Sequence, residues 1–110
     1  MANPATKTDR IQKIRTMLEK TPNDAFLLYA LGMEHKEIDV AQALQLFHQV
    51  IQIDPDHGYA YYQLGQTHEL AGEKDAAATA YQNGMSAARR RGDNHAAQEI
   101  AAALEMLEEK

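Results

Sequence analysis

The sequence predicts an all-α protein built as a stack of antiparallel helix pairs, and three observations predict it. Leu28, Leu31, Gly32 and His35 recur 33 residues later as Tyr61, Leu64, Gly65 and His68, and Thr21-Pro22-Asn23-Asp24 recurs loosely as Asp54-Pro55-Asp56-His57. A fixed period of this size marks a stacked helical array rather than an ordinary single core. Hydrophobic residues make up 45% of the 110-residue chain, but 19 of the 49 are alanine, which favours helix and lets helices approach closely. Valine and isoleucine together number 8, so strand formers are scarce.

Each element follows from local pattern. Residues 1–8 are small and polar and are expected to form a disordered tail ahead of a single domain over 9–110. The first helix starts at Thr8 or Asp9 and carries Ile11, Ile14, Met17 and Leu18 as one apolar stripe. Pro22 stops it, and Asn23 or Asp24 caps the second helix. That helix, with Phe26, Leu27, Leu28, Tyr29, Leu31 and Met33, is apolar nearly all round. It is therefore buried on several sides or keeps an uncovered apolar face. Asp39 caps a third helix whose inward stripe is Ala43, Leu44, Phe47, Val50 and Ile51, ended at Asp54-Pro55. The fourth helix repeats the second, with Tyr59, Tyr61, Tyr62, Leu64, Leu70 and Ala71, and Gly72 supplies a left-handed stop. The fifth repeats the third through Ala77, Ala78, Tyr81, Met85 and Ala88 and runs on through Arg89-Arg90-Arg91 to Gly92. A sixth spans about 93–108, with Ala97, Ile100, Ala101, Leu104 and Leu107 inward and Glu99, Glu105, Glu108 and Glu109 toward water. The short connections make consecutive helices antiparallel neighbours.

These residues resemble the tetratricopeptide repeat (TPR) family, whose repeat is two antiparallel helices with a large residue, Leu-Gly, an aromatic, then Ala, an aromatic and Pro at set positions. The first copy reads Leu28-x-x-Leu31-Gly32-x-x-His35, Ala43-x-x-x-Phe47, Pro55; the second reads Tyr61-x-x-Leu64-Gly65-x-x-His68, Ala77-x-x-x-Tyr81. The resemblance implies two full repeats, about 23–55 and 56–89, a preceding half repeat and a C-terminal capping helix, wound as a right-handed superhelix. The sequence departs from the pattern in placing Leu28 and Tyr61 where tryptophan is usual and His35 and His68 where an aromatic is usual. The second copy has Arg89 in place of the closing proline, which predicts a long fifth helix. The first copy is one residue short between Gly32 and Pro55, which places Ile38 in a tight turn.

The resemblance also assigns a function class: a protein-interaction scaffold whose first helix of each pair lines a concave groove. The implied groove residues are Phe26, Tyr29, Met33 and Lys36 from the first copy and Tyr59, Tyr62, Gln66 and Glu69 from the second. Aromatic and thioether side chains bury much area at low entropy cost, which suits a peptide or helix of a partner protein. The lysine and asparagine clamp by which some relatives hold a carboxylate tail is absent, because Tyr29, Met33, Tyr62 and Gln66 stand there. The rival role for these aromatics is packing on neighbouring helices, more so for Phe26 and Tyr59 than for Tyr29 and Tyr62. The rival function is a structural homo-oligomer that hides the same groove in its own interface. The first reading predicts a monomer or weak homodimer.

The remaining chemistry is sparse. His35 and His68, with Glu34 and Glu69 beside them, invite a metal reading, but a zinc site needs three or four converging ligands and no close histidine spacing is present. Arg89, Arg90 and Arg91 are the one basic cluster; the helix dipole explains them at a helix end, and contact with an anion or acidic partner is the alternative. The net charge of −5 disfavours nucleic acid. With no cysteine, one serine (Ser86, inside a helix) and no phosphate loop, the sequence offers no catalytic constellation and no cofactor site. The lack of cysteine fits a reducing cytoplasm. No leader-like apolar segment and no membrane-length apolar run occurs.

Overall fold

Helix caps divide the chain as the sequence suggests. The computed structural model describes residues 6–110, in which six helices follow one another: α1 (Lys7–Lys20), α2 (Ala25–His35), α3 (Val40–Ile53), α4 (Gly58–Leu70), α5 (Lys74–Arg91) and α6 (Asn94–Glu108). α1 begins earlier than expected because Thr6 and Asp9 form a reciprocal capping box. Thr6 to Thr8 therefore belong to the fold, and only residues 1–5 of the expected tail lie outside the described residues. Asp24, Asp39 and Asp93 each accept a backbone N–H in the first turn of α2, α3 and α6. α4 is capped by His57, whose Nδ1 accepts from Ala60 N at 3.1 Å. α5 has no side-chain cap at Glu73.

The two copies turn differently. After α2 the chain closes without a left-handed residue: Ile38 N and Asp39 N both donate to His35 O, and Ile38 sits exposed in this short turn. After α4 the extra residue lets Gly72 adopt φ +76°, and Glu73 N reaches His68 O. α5 runs four residues longer than α3, 18 against 14, and ends at Gly92, also at φ +76°. That length follows from the missing proline.

Close helix crossings organise the core. A Cβ added at Gly32 would lie 2.7 Å from the Phe47 ring, and one added at Gly65 would run into the ring of Tyr81. The same glycine–ring contact thus joins α2 to α3 and α4 to α5. Phe47 and Tyr81 are both fully buried. One cluster gathers Leu28, Leu31, Leu46 and Val50, with Ile11, Ile14 and Leu18 of α1 packed on it. Another joins Ala77 and Tyr81 to Ile100 and Leu107, which seats α6 on the second repeat. Leu46, outside the expected stripe of α3, is buried, whereas Leu44 and Ile51 are half-buried. The helices pack chiefly on their chain neighbours, giving an extended molecule of 46 × 29 × 24 Å.

A groove along the alternate helices

α2, α4 and α6 share one side of the stack. Lys36 at the end of α2 donates to Gln63 Oε1 at 2.7 Å and Gln66 Oε1 at 3.0 Å, both on α4. Burial lowers the Lys36 pKa, with Glu37 opposing. Tyr29 of α2 stacks on His57 at 5.3 Å and meets Phe47 edge-on at 5.8 Å. Burial also raises the Tyr29 hydroxyl pKa, with Gln63 opposing and Tyr62 adding to it. On α4, Tyr62 lies between Tyr59 (6.3 Å) and the buried Tyr81 (6.1 Å).

Two adjoining depressions run along this side. One of about 350 Å³ is bounded by Tyr62 and Gln66 on α4 and by Glu99 and Met106 on α6. The other, of about 460 Å³, lies among Lys36, Gln66, Glu69 and Leu70. Glu69 stands at their junction, accepting from the Tyr81 hydroxyl at 2.5 Å and from Lys110 Nζ at 3.0 Å. Burial raises the Glu69 carboxyl, but these two donors outweigh it and hold the pKa below its ordinary value. Tyr81 is pushed far up, by burial first and then by the Glu69 carboxylate.

The eight expected groove residues therefore divide by role. Phe26 is 78% exposed and Met33 39% exposed, so they are the free apolar side chains on α2. Packing, the rival role given to Phe26, does not hold, because no helix among the described residues covers it. Tyr59 does pack as that role requires, against Ala88, Ala96 and Ala97 where α6 joins α5. Tyr29 and Tyr62 are half-buried and pack on neighbours, and Tyr62 also bounds the first depression. Lys36, Gln66 and Glu69 form its polar floor. The α6 wall, Glu99 and Met106, was not foreseen. Met106 is 64% exposed and lies off the helix's apolar stripe, the one sequence signal that marks it.

The other candidate residues are committed elsewhere. Arg91 forks onto Asp54 at 2.6 and 2.9 Å, and Arg90 reaches Asp56 at 2.7 Å and Pro55 O at 3.3 Å. Arg90 and Arg91 are thus paired with the turn between α3 and α4, and Arg89 is exposed at the helix end. His35 is buried, with Nε2 3.3 Å from an Arg15 guanidinium nitrogen, and burial followed by Arg15 lowers its pKa. His68 Nδ1 lies 3.0 Å from Glu73, and Glu34 pairs with Lys7 and Arg10. The residues that suggested a metal are not brought together, and among the described residues no group of three or more His, Asp or Glu is placed to hold one. No helix among the described residues is long and apolar enough to cross a membrane.

Comparison with known proteins agrees with this architecture. The tetratricopeptide repeat family profile matches residues 35–104. A TPR repeat-containing protein of Pseudomonas aeruginosa is 26% identical over 99 residues, covering 89% of this chain and 94% of that protein. A tetratricopeptide repeat domain protein from Salinibacter ruber, solved by NMR, is 35% identical with a TM-score of 0.74, over 79% of this chain and 89% of its own. A Bordetella parapertussis protein solved in solution is 26% identical with a TM-score of 0.79, over 90% and 87%. PcrH, solved in complex with the chaperone-binding region of PopD, shares the fold at 18% identity and a TM-score of 0.84, over 92% and 77%. The period, the glycine–ring crossings and these likenesses together establish that the chain belongs to the tetratricopeptide repeat family.

Proposed function

We propose that the protein is a non-enzymatic interaction module that holds a peptide or helix of a partner protein along the groove of α2, α4 and α6. The observation that carries this reading is the set of apolar side chains left uncovered on these helices: Phe26 and Met33, spaced to share a face of α2 with Lys36, and Leu70 and Met106, beside the polar centre of Lys36, Gln63 and Gln66. Apolar residues grouped beside a groove mark interaction surfaces. The apolar flanks supply area, and the amide and ammonium groups of the centre supply hydrogen bonds that fix the register of a bound backbone. PcrH, which has the same fold, is seen with a bound segment of another protein. The lone serine supports a non-enzymatic reading: Ser86 is exposed on α5 and its hydroxyl faces Gln82 O.

The test is affinity capture from native lysate with the wild type and the Phe26→Ala/Met33→Ala variant. Both side chains are exposed, so helix content is expected to stay the same. Proteins retained by wild type and lost by the variant support the groove; an identical set with both contradicts it. Light scattering separates the rival reading, since a homo-oligomer built on this face gives a concentration-dependent dimer that the same variant splits.

A further inference from the structure

A second pocket lies away from the groove, where α3, α4 and α5 meet, with a volume of about 310 Å³. Ile51, Leu64 and Ala80 form its apolar floor, and His48, His68 and Asn83 stand at its rim. The pocket is particular to the second repeat. Ala43 and Phe47 of α3 correspond to Ala77 and Tyr81 of α5, so the lining residues Ala76, Thr79, Ala80 and Asn83 correspond to Gln42, Gln45, Leu46 and Gln49. Each is smaller than its counterpart. Leu46 is buried and fills the first repeat, where the corresponding depression is bounded by α1, α2 and Pro22 with no α3 residue in it. Leaving a leucine-sized space in a helical core costs packing, so the second repeat has given up packing that the first keeps.

The lining says what would fill that space. Cavities about half this size accept a benzene ring. His68 Nδ1 faces the Glu73 carboxylate, which only accepts, so Nδ1 donates and Nε2 is left as an acceptor whenever the ring carries a single proton. His48 is biased toward the neutral ring, by burial first and by His68 second. None of the lining residues is an Asp, Glu, Lys or Arg. A neutral ring with one hydrogen-bond donor matches an apolar floor with imidazole acceptors at the rim. The chain has no tryptophan of its own, so a second copy cannot supply an indole.

We propose that this pocket takes a tryptophan side chain from a partner protein, with the ring on Ile51, Leu64 and Ala80 and the indole N–H directed to the histidine rim. It is a site separate from the groove.

NMR titration tests it directly, following His48, His68 and the methyl groups of Ala76 and Ala80 while adding indole or a capped Gly-Trp-Gly tripeptide. Both probes are expected to give saturable shifts at these residues. Ala80→Leu, which installs the first repeat's residue, is expected to weaken both at least tenfold while keeping helix content and melting temperature. Should that variant fold poorly, Thr79→Gln/Asn83→Gln narrows the mouth from two exposed positions and is expected to do the same. Phe26→Ala/Met33→Ala should leave these shifts unchanged, which separates this site from the groove. The proposal is overturned by the absence of saturable shifts, by undiminished binding in the folded filling variants, or by binding of indole with exclusion of the tripeptide.

Discussion

Gly65 and Tyr81 show how much of this fold rests on single atoms. The missing Cβ of Gly65 is the space in which the Tyr81 ring lies, and that ring is fully buried with its hydroxyl held by Glu69. It has no room to move aside. Gly65→Ala gains about 1 kcal/mol of helix propensity but overpacks the crossing, and we expect a net loss of about 1–2 kcal/mol in urea denaturation. Unchanged or higher stability would show that the crossing relaxes. His35 gives a pH-dependent prediction. Its folded pKa lies below the ordinary 6.5, so as pH falls past that value the unfolded chain takes up a proton that the folded chain does not. Stability therefore falls from about pH 6.5 downward and is unaffected above it. His35→Phe is expected to flatten part of the fall between about pH 7 and pH 5, with His48 supplying the remainder through its own lowered value. Equal slopes in the two proteins would refute this. The glycine–ring pairs were legible from spacing alone, because both copies keep them in phase. The Arg15 contact to His35 was not, since it depends on how the half repeat α1 docks.

At the scale of the element, α5 carries the clearest consequence of a departure from the repeat pattern. Without a closing proline it continues to Gly92, and the added turn lays Arg90 and Arg91 against the Asp54-Pro55-Asp56 turn of the preceding repeat. The helix length was predictable, but these ion pairs were not, because nothing local to the arginines points to a turn in the preceding repeat. The pairs are exposed and so modest in effect. Arg91 holds the Asp54 carboxyl below its ordinary value of 3.8, burial opposing, so the pair stabilises the fold above that pH and the contribution is lost as pH falls through the folded value. Arg91→Ala is expected to lower the melting temperature slightly at neutral pH, with the difference shrinking below about pH 4 and at high salt. A difference independent of pH and salt would mean that packing of the arginine stem is responsible. Caps are the other element-scale feature. Asp39 and Asp93 were identifiable as aspartates ahead of apolar stripes, whereas His57 was hidden because histidine is an unusual cap. Removing the Asp93 acceptor by Asp93→Ala leaves Ala96 N unsatisfied at the start of α6 and should cost about 1 kcal/mol in thermal or urea unfolding; no loss would show that α6 is held by packing alone.

Across the whole molecule, sequential stacking of helices on their neighbours makes a two-sided object. α1, α3 and α5 alternate with α2, α4 and α6, and the uncovered side chains Phe26 and Met33 of α2 and Met106 of α6 come from two helices far apart in the chain. The period announced this architecture, and the phase of the repeat assigned α2 and α4 to the groove. Which aromatics would stay free was not legible, because it depends on how the helices dock: the junction of α6 with the long α5 covers Tyr59, while Phe26 on α2 stays open. The same placement makes α6 a groove wall as well as a cap. The most direct test of the central claim places a photoreactive benzoylphenylalanine at Met33 and, as a control, at Gln12, which is exposed on α1 away from the inward stripe of Ile11, Ile14 and Leu18. Irradiation in native lysate is expected to give covalent adducts with another protein from position 33 and not from position 12. Equal labelling from both positions, or adducts only to another copy of this chain, would contradict the groove as a partner site.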